Sequence, residues 1–221
     1  FQEATHLEPR NVDAHNNLGT ALLKAGRAEE AIASCRRVIE LRPASPDALT
    51  TTSERSGFLR TGRYDEVIAL CGEFARAYPG VVNCIDFGVT PEGRPMKALV
   101  VSRATLDPMQ AKARGIPVLL VQGGIHAGEI DGKDAGFLAL REMLDGRAAK
   151  GALEKTVLVF VPVFNVDGHE RFGKWNRPNQ RGPEEMGWRT TAQNFNLNRD
   201  YVKSDSPEMQ AIVAYIKFLS T

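Results

Sequence analysis

Cysteine is scarce in this 221-residue chain, and Cys35, Cys71 and Cys84 include no Cys-x-x-Cys pair. An odd number without close spacing argues against a thiolate metal cluster or a disulfide framework and predicts buried thiols. An excess of one charge is also missing: 28 Lys and Arg against 27 Asp and Glu leave a formal net charge of +1, with no basic block. Neither a nucleic acid nor an anionic membrane surface is therefore expected as a partner. No apolar run approaches the roughly 18 residues that a membrane span needs. Residue 1 is Phe and not Met, so the compartment cannot be read from a missing leader. What is present is ordinary for a globular chain: 43% hydrophobic and 25% charged residues, enough for one or two cores.

The N-terminal stretch is helical in pattern. Leu7-Glu8-Pro9 recurs 34 residues later as Leu41-Arg42-Pro43. Between them, Ala28, Ala31, Ile32, Cys35, Val38 and Ile39 fall at helical spacing and predict one buried stripe. Leu18-Gly19, Leu22, Ala31, Cys35 and Val38 resemble the small and apolar positions of a tetratricopeptide (TPR) repeat, its two helices meeting near Lys24-Ala25-Gly26-Arg27. Residues 1–11 then read as the tail of a preceding repeat in a longer array. A single repeat cannot bury its own face. A weaker echo, Gly62–Cys71 against Gly26–Cys35, lacks the Leu-Gly pair upstream, so the helix at 63–78 is assigned to the next domain. The boundary falls in the polar, turn-prone stretch 44–52, giving a repeat at 1–47 and a second domain at 48–221.

From Val81 the pattern alternates between strand and helix. Residues 81–89 and 96–102 flank Thr90-Pro91-Glu92-Gly93-Arg94-Pro95, a turn between antiparallel strands. Residues 118–122 and 157–163 are short apolar runs of the kind covered on both faces. Helices are expected at Asp131–Leu144 and after Ser206, where a capping Ser, a first-turn Pro and Glu208 mark the start. The result is an α/β domain with a mixed sheet and helices on both faces.

The chemistry concentrates in Gly123-Gly124-Ile125-His126-Ala127-Gly128-Glu129. An imidazole and a carboxylate three residues apart, where a buried strand turns into a helix, can converge on one metal ion. Zinc accepts that pair, usually with a third protein ligand and a water when catalytic. The same spacing also suits a His and a Glu in a surface loop.

Further motifs carry a family resemblance. Phe87-Gly88-Val89-Thr90-Pro91-Glu92-Gly93-Arg94-Pro95, His126-Ala127-Gly128-Glu129, Asn165-Val166-Asp167-Gly168, Trp188-Arg189-x-Thr191 and Asn196-Leu197-Asn198-Arg199-Asp200 occur in this order. From about Tyr64 onward the chain resembles the zinc metallocarboxypeptidase family. The resemblance implies the carboxypeptidase fold, here incomplete at its C-terminal side, and zinc held by His126 and Glu129. It implies substrates that are peptides or proteins with a free C-terminus. Asn198 and Arg199 match the residues that hold the terminal carboxylate, a contact suited to a guanidinium fork. Arg189 matches the arginine that stabilises the developing oxyanion, with Arg177 and Arg181 as alternatives. Asn165 and Asp167 read as turn-formers, and His169 as exposed or hydrogen-bonded.

Two departures accompany the matches. The family's second histidine ligand and its general-base glutamate lie further along, beyond Thr221, so the chain as given is expected to hold zinc weakly and to lack peptidase activity. Gly128 stands where digestive-type members carry an arginine that contacts the substrate. The rival readings are an acylase-type zinc amidohydrolase and a catalytically dead protein that binds partners through its repeat.

Overall fold

The computed structural model describes residues 2–9, 11–41 and 46–220. It divides into two compact units, Phe1–Ala44 and Ser45–Thr221. Part of the expected boundary stretch, residues 44 and 45, lies outside the described residues.

The first unit is helical: α1 (Gln2–Leu7), α2 (Val12–Lys24) and α3 (Ala28–Leu41). Asn11 caps α2, its side chain accepting from the Ala14 amide at 2.9 Å. The turn to α3 needs Gly26, whose φ of +74° is costly for any residue with a Cβ. Ala14, Leu22 and Ala31 are buried, and Ser34 Oγ donates to the His15 carbonyl at 2.8 Å. The predicted stripe on α3 is narrower than expected. Ala31 is buried, but neighbouring Ile32 is half exposed, because a helix turns about 100° per residue and one partner helix covers only one line of positions. The side chains of Cys35, Val38 and Ile39 lie outside the described residues.

The second unit opens with a 3-10 turn (Pro46–Leu49) and continues through α4 (Thr52–Arg55), α5 (Tyr64–Ala77), β1 (Val82–Val89), β2 (Pro95–Val101), α6 (Pro108–Ala113), β3 (Val118–Gln122), α7 (Asp131–Leu144), β4 (Val157–Val161) and α8 (Val166–Glu170). The short strands β5 (Gly173–Lys174) and β6 (Glu185–Met186) follow, then a 3-10 turn (Leu197–Arg199) and α9 (Pro207–Ser220). The main sheet runs β1-β2-β4-β3. The β1–β2 and β2–β4 pairs are antiparallel, whereas β3 and β4 are parallel, so the sheet is mixed. Helix α7 completes the parallel crossover between β3 and β4.

All five residues of β4 are buried, as a strand covered on both faces requires. Phe137 of α7 meets Phe160 of β4 edge to face at 5.4 Å and stacks on Phe74 of α5 at 5.8 Å. Met209 and Ile212 of α9 join the same core. Ser206 caps α9, its hydroxyl accepting from the Met209 amide at 3.2 Å. Two expectations fail. Strand β3 is not covered on both faces: it lies at the sheet edge, and Leu119 and Val121 are 54% and 40% exposed. Cys71 and Cys84 are not free thiols but form a disulfide between α5 and β1. Packing brings them within bonding distance, which no sequence spacing indicates.

Candidate metal centre and substrate-facing residues

The site is built where the parallel strands end. After β3, Gly123 passes so close to β4 that a Cβ on it would stand 2.6 Å from the Pro162 carbonyl oxygen. Backbone bonds from Phe164 and Asn165 to the Gly123 and Gly124 carbonyls, both 3.0 Å, tie this turn to the one after β4. The chain then turns through His126–Glu129, the Glu129 amide bonding to the His126 carbonyl at 2.9 Å, and enters α7.

This turn places His126 Nδ1 3.2 and 3.3 Å from the two carboxylate oxygens of Glu129. The imidazole is buried, and Glu129 is half open to solvent. His126 Nε2 lies 3.1 Å from Asn196 Oδ1. The Asn196 amide orientation is fixed, because Oδ1 also accepts from the Asn198 backbone N–H at 3.2 Å, a group that can only donate. Nε2 therefore carries a proton, and in the neutral ring Nδ1 turns its lone pair toward the carboxylate. Two acceptors in apposition need a cation or a proton between them. The Nδ1-to-oxygen span matches the edge of about 3.3 Å that a tetrahedral zinc site sets between a nitrogen and an oxygen ligand. His126 and Glu129 thus fit a zinc ion as two of its ligands, with Asn196 orienting the histidine from behind. Among the described residues, no group of three or more His, Cys, Asp or Glu side chains could hold a metal.

Two arginines converge on the same carboxylate. Arg177 donates to Glu129 Oε1 at 2.7 Å, while its other terminal nitrogen is buried without a hydrogen-bond partner. Arg189 stands 4.0 Å from the same oxygen. Burial pushes the Glu129 carboxyl up, but the hydrogen bond and charge of Arg177 outweigh it and hold the group below the usual glutamate range.

The turn after β4 acts as scaffold. Asn165 caps α8, accepting from the Gly168 amide at 3.0 Å, and donates through Nδ2 to the Arg189 carbonyl at 3.1 Å. Asp167 is fully buried. It accepts from Thr90 Oγ1 at 2.7 Å, the Glu92 amide at 3.1 Å and Arg94 at 2.6 Å, locking the β1–β2 turn to α8. His169 is buried against Tyr64 and Phe172, its Nδ1 3.1 Å from Glu170. It is hydrogen-bonded, and burial lowers its pKa.

Of the residues expected at the site, His126, Glu129 and Arg189 come together. Asn198 and Arg199 sit exposed on the 3-10 turn beginning beside Asn196, with Arg199 donating to the Asn198 carbonyl at 3.0 Å. Arg177, an alternative in sequence, is the arginine that reaches Glu129. Asn196 was not singled out, although its place two residues before Asn198 offers a carbonyl partner to a histidine ligand.

The zinc carboxypeptidase family model matches residues 67–213, and a tetratricopeptide repeat model matches residues 1–46. Carboxypeptidase B of Helicoverpa zea is 28% identical over 125 residues, covering 54% of this chain and 27% of that protein. The inactive metallocarboxypeptidase of Schizosaccharomyces pombe is 33% identical over 101 residues, covering 43% and 20%. The crystal structure of carboxypeptidase A from Helicoverpa armigera superposes with a TM-score of 0.53 at 20% identity, covering 93% of this chain and 50% of that one. The chain spans between a fifth and a third of the length of the curated relatives it matches. It belongs to the zinc carboxypeptidase family, with a tetratricopeptide repeat preceding that domain.

Proposed function

We propose that the full-length protein is a zinc-dependent carboxypeptidase that hydrolyses the C-terminal peptide bond of peptides or proteins. The observation that carries this reading is the apposition of His126 Nδ1 and the Glu129 carboxylate, with the opposite ring nitrogen committed to Asn196. When bound, zinc supplies Lewis acidity that activates water for attack near neutral pH. Arg189 faces the same point and donates to the oxyanion as it develops, a contribution of about 3–4 kcal/mol for one well-placed donor. Asn165 fixes the backbone that presents Arg189. Asn198 and Arg199 take the substrate's terminal carboxylate. By analogy with its fold, the repeat at the N-terminus docks a protein partner.

The experiment is hydrolysis of one peptide series with free and amidated C-termini by the full-length protein. Cleavage confined to free C-termini, weakened mainly in KM by Arg199→Gln and in kcat by Arg189→Gln, is expected. One observation favours a second reading, a catalytically inactive member acting through its repeat. Inactive metallocarboxypeptidases are among the relatives. No cleavage of either series would select it.

A further inference from the structure

The β5–β6 hairpin that carries Arg177 is tied down beside the His126–Glu129 turn. Asn176 Nδ2 donates to the Arg171 and Met186 carbonyls, both at 2.8 Å, and the Gln180 amide donates to the Arg177 carbonyl at 3.0 Å. A Cβ on Gly187 would stand 3.0 Å from the Ala127 carbonyl oxygen, so the hairpin's return strand lies directly against the turn. Arg177 is therefore delivered to Glu129 from a fixed base, and only 12% of its side chain is exposed.

Its guanidinium distinguishes the two oxygens of Glu129. Among the described residues its one side-chain acceptor is Glu129 Oε1, at 2.7 Å, and its second terminal nitrogen is buried without a partner. Arg189 stands 4.0 Å from the same Oε1. Neither arginine hydrogen-bonds to Oε2, which lies 3.3 Å from His126 Nδ1. A metal cation approaching Oε1 meets two guanidinium charges gathered there, and like charges repel most strongly where water is scarce. Approach to Oε2 uses the same carboxylate one oxygen further from both.

We propose, on the reading of His126 and Glu129 as zinc ligands, that Arg177 is a positioning residue that restricts Glu129 to one-oxygen ligation through Oε2 by occupying Oε1. The consequence is a coordination count. His126, one Glu129 oxygen, a third protein ligand and a water make four, whereas a Glu129 bound through both oxygens makes five. The lower count leaves a place for a substrate oxygen. Arg177 thus acts through Glu129 and not on the substrate, which separates its role from that of Arg189.

The test uses the full-length protein, stripped of metal and loaded with cobalt(II). Cobalt takes the same nitrogen and oxygen ligands, and its visible absorption is stronger at four-coordinate than at five-coordinate sites. The wild type should bind one cobalt per chain and show the strong four-coordinate bands. Arg177→Met keeps a flexible stem across Gly128 but removes the donor, and its bands should weaken about threefold as Glu129 takes up its second oxygen. Arg177→Lys keeps a cationic donor and should recover the wild-type intensity. Unchanged bands in Arg177→Met would show that only the packing of the stem matters and would overturn the assignment. Weak five-coordinate bands in the wild type would do the same, and with Arg177→Lys they decide the question even if the methionine variant fails to fold. A wild type that takes up no cobalt would overturn the zinc site itself, and the role of Arg177 with it.

Discussion

Arg177 lies across Gly128: a Cβ on residue 128 would stand 2.6 Å from Arg177 Cγ and 2.6 Å from the Gly187 carbonyl oxygen. A side chain at position 128 and the Arg177 side chain therefore exclude each other. The glycine in the His-x-x-Glu motif and the partly buried arginine from the hairpin are one structural fact. The guanidinium that reaches Glu129 here arrives from the β5–β6 hairpin and not from the turn itself.

Gly128→Ala should accordingly destabilise the fold by about 1–3 kcal/mol, the usual cost of overpacking against atoms that cannot move, and should weaken zinc binding by displacing Arg177. Urea unfolding and a zinc titration check both effects. A variant equal to wild type in both would show that Arg177 is not constrained by this contact.

Much of the fold was legible because its periodicities are clean. The helix read at Asp131–Leu144 and the strand read at Val118–Gln122 have those bounds in the structure, since glycines or a loop bracket each apolar pattern. His126 and Glu129 were legible because both sit on one turn. Arg177 and Asn196 reach that turn from 48 and 70 residues away, and local spacing carries no record of such contacts. The Cys71–Cys84 bond was missed for the same reason. The open face of β3 was missed because a fully apolar run looks alike at the edge and at the centre of a sheet.

The disulfide closes a short loop, with a sequence separation of 13, and such a loop is worth about 3 kcal/mol by chain entropy. Cys71→Ser with Cys84→Ser, or reduction of the wild type, should lower stability by about 2–4 kcal/mol in urea unfolding. No difference between oxidised and reduced wild type would contradict this.

Asp167 holds three donors while fully buried. Asp167→Ala should cost about 3 kcal/mol, since a buried charged partner is removed and its donors are stranded. Asp167→Asn, which keeps an acceptor, should cost less. Thermal unfolding of the two variants gives the order, and equal costs would remove the hydrogen bonds as the cause.

Glu170 supplies a pH dependence. Burial raises its carboxyl, but bonds from His169, Arg63 and the Tyr64 amide outweigh this and hold it at about 2, against 4.5 for the free group. A depressed carboxyl stabilises the fold above its unfolded pKa and loses that contribution as pH falls through its folded pKa. The stabilisation should be complete above about pH 4.5 and fade toward pH 2, at about 2 kcal/mol after allowance for screening. The stability difference between wild type and Glu170→Gln, followed by urea unfolding, should shrink across that window. A constant difference from pH 6 to pH 2 would rule the carboxylate out.

The central claim is that His126 and Glu129 hold a zinc ion, and metal content tests it most directly. Purified full-length protein should contain one zinc per chain by native mass spectrometry. The ion should be lost in His126→Ala and bound about 10–100-fold more weakly in Asn196→Ala, as expected when a ligand's orienting partner is removed. A zinc-free wild type, or a His126→Ala variant that keeps its zinc, would contradict the account.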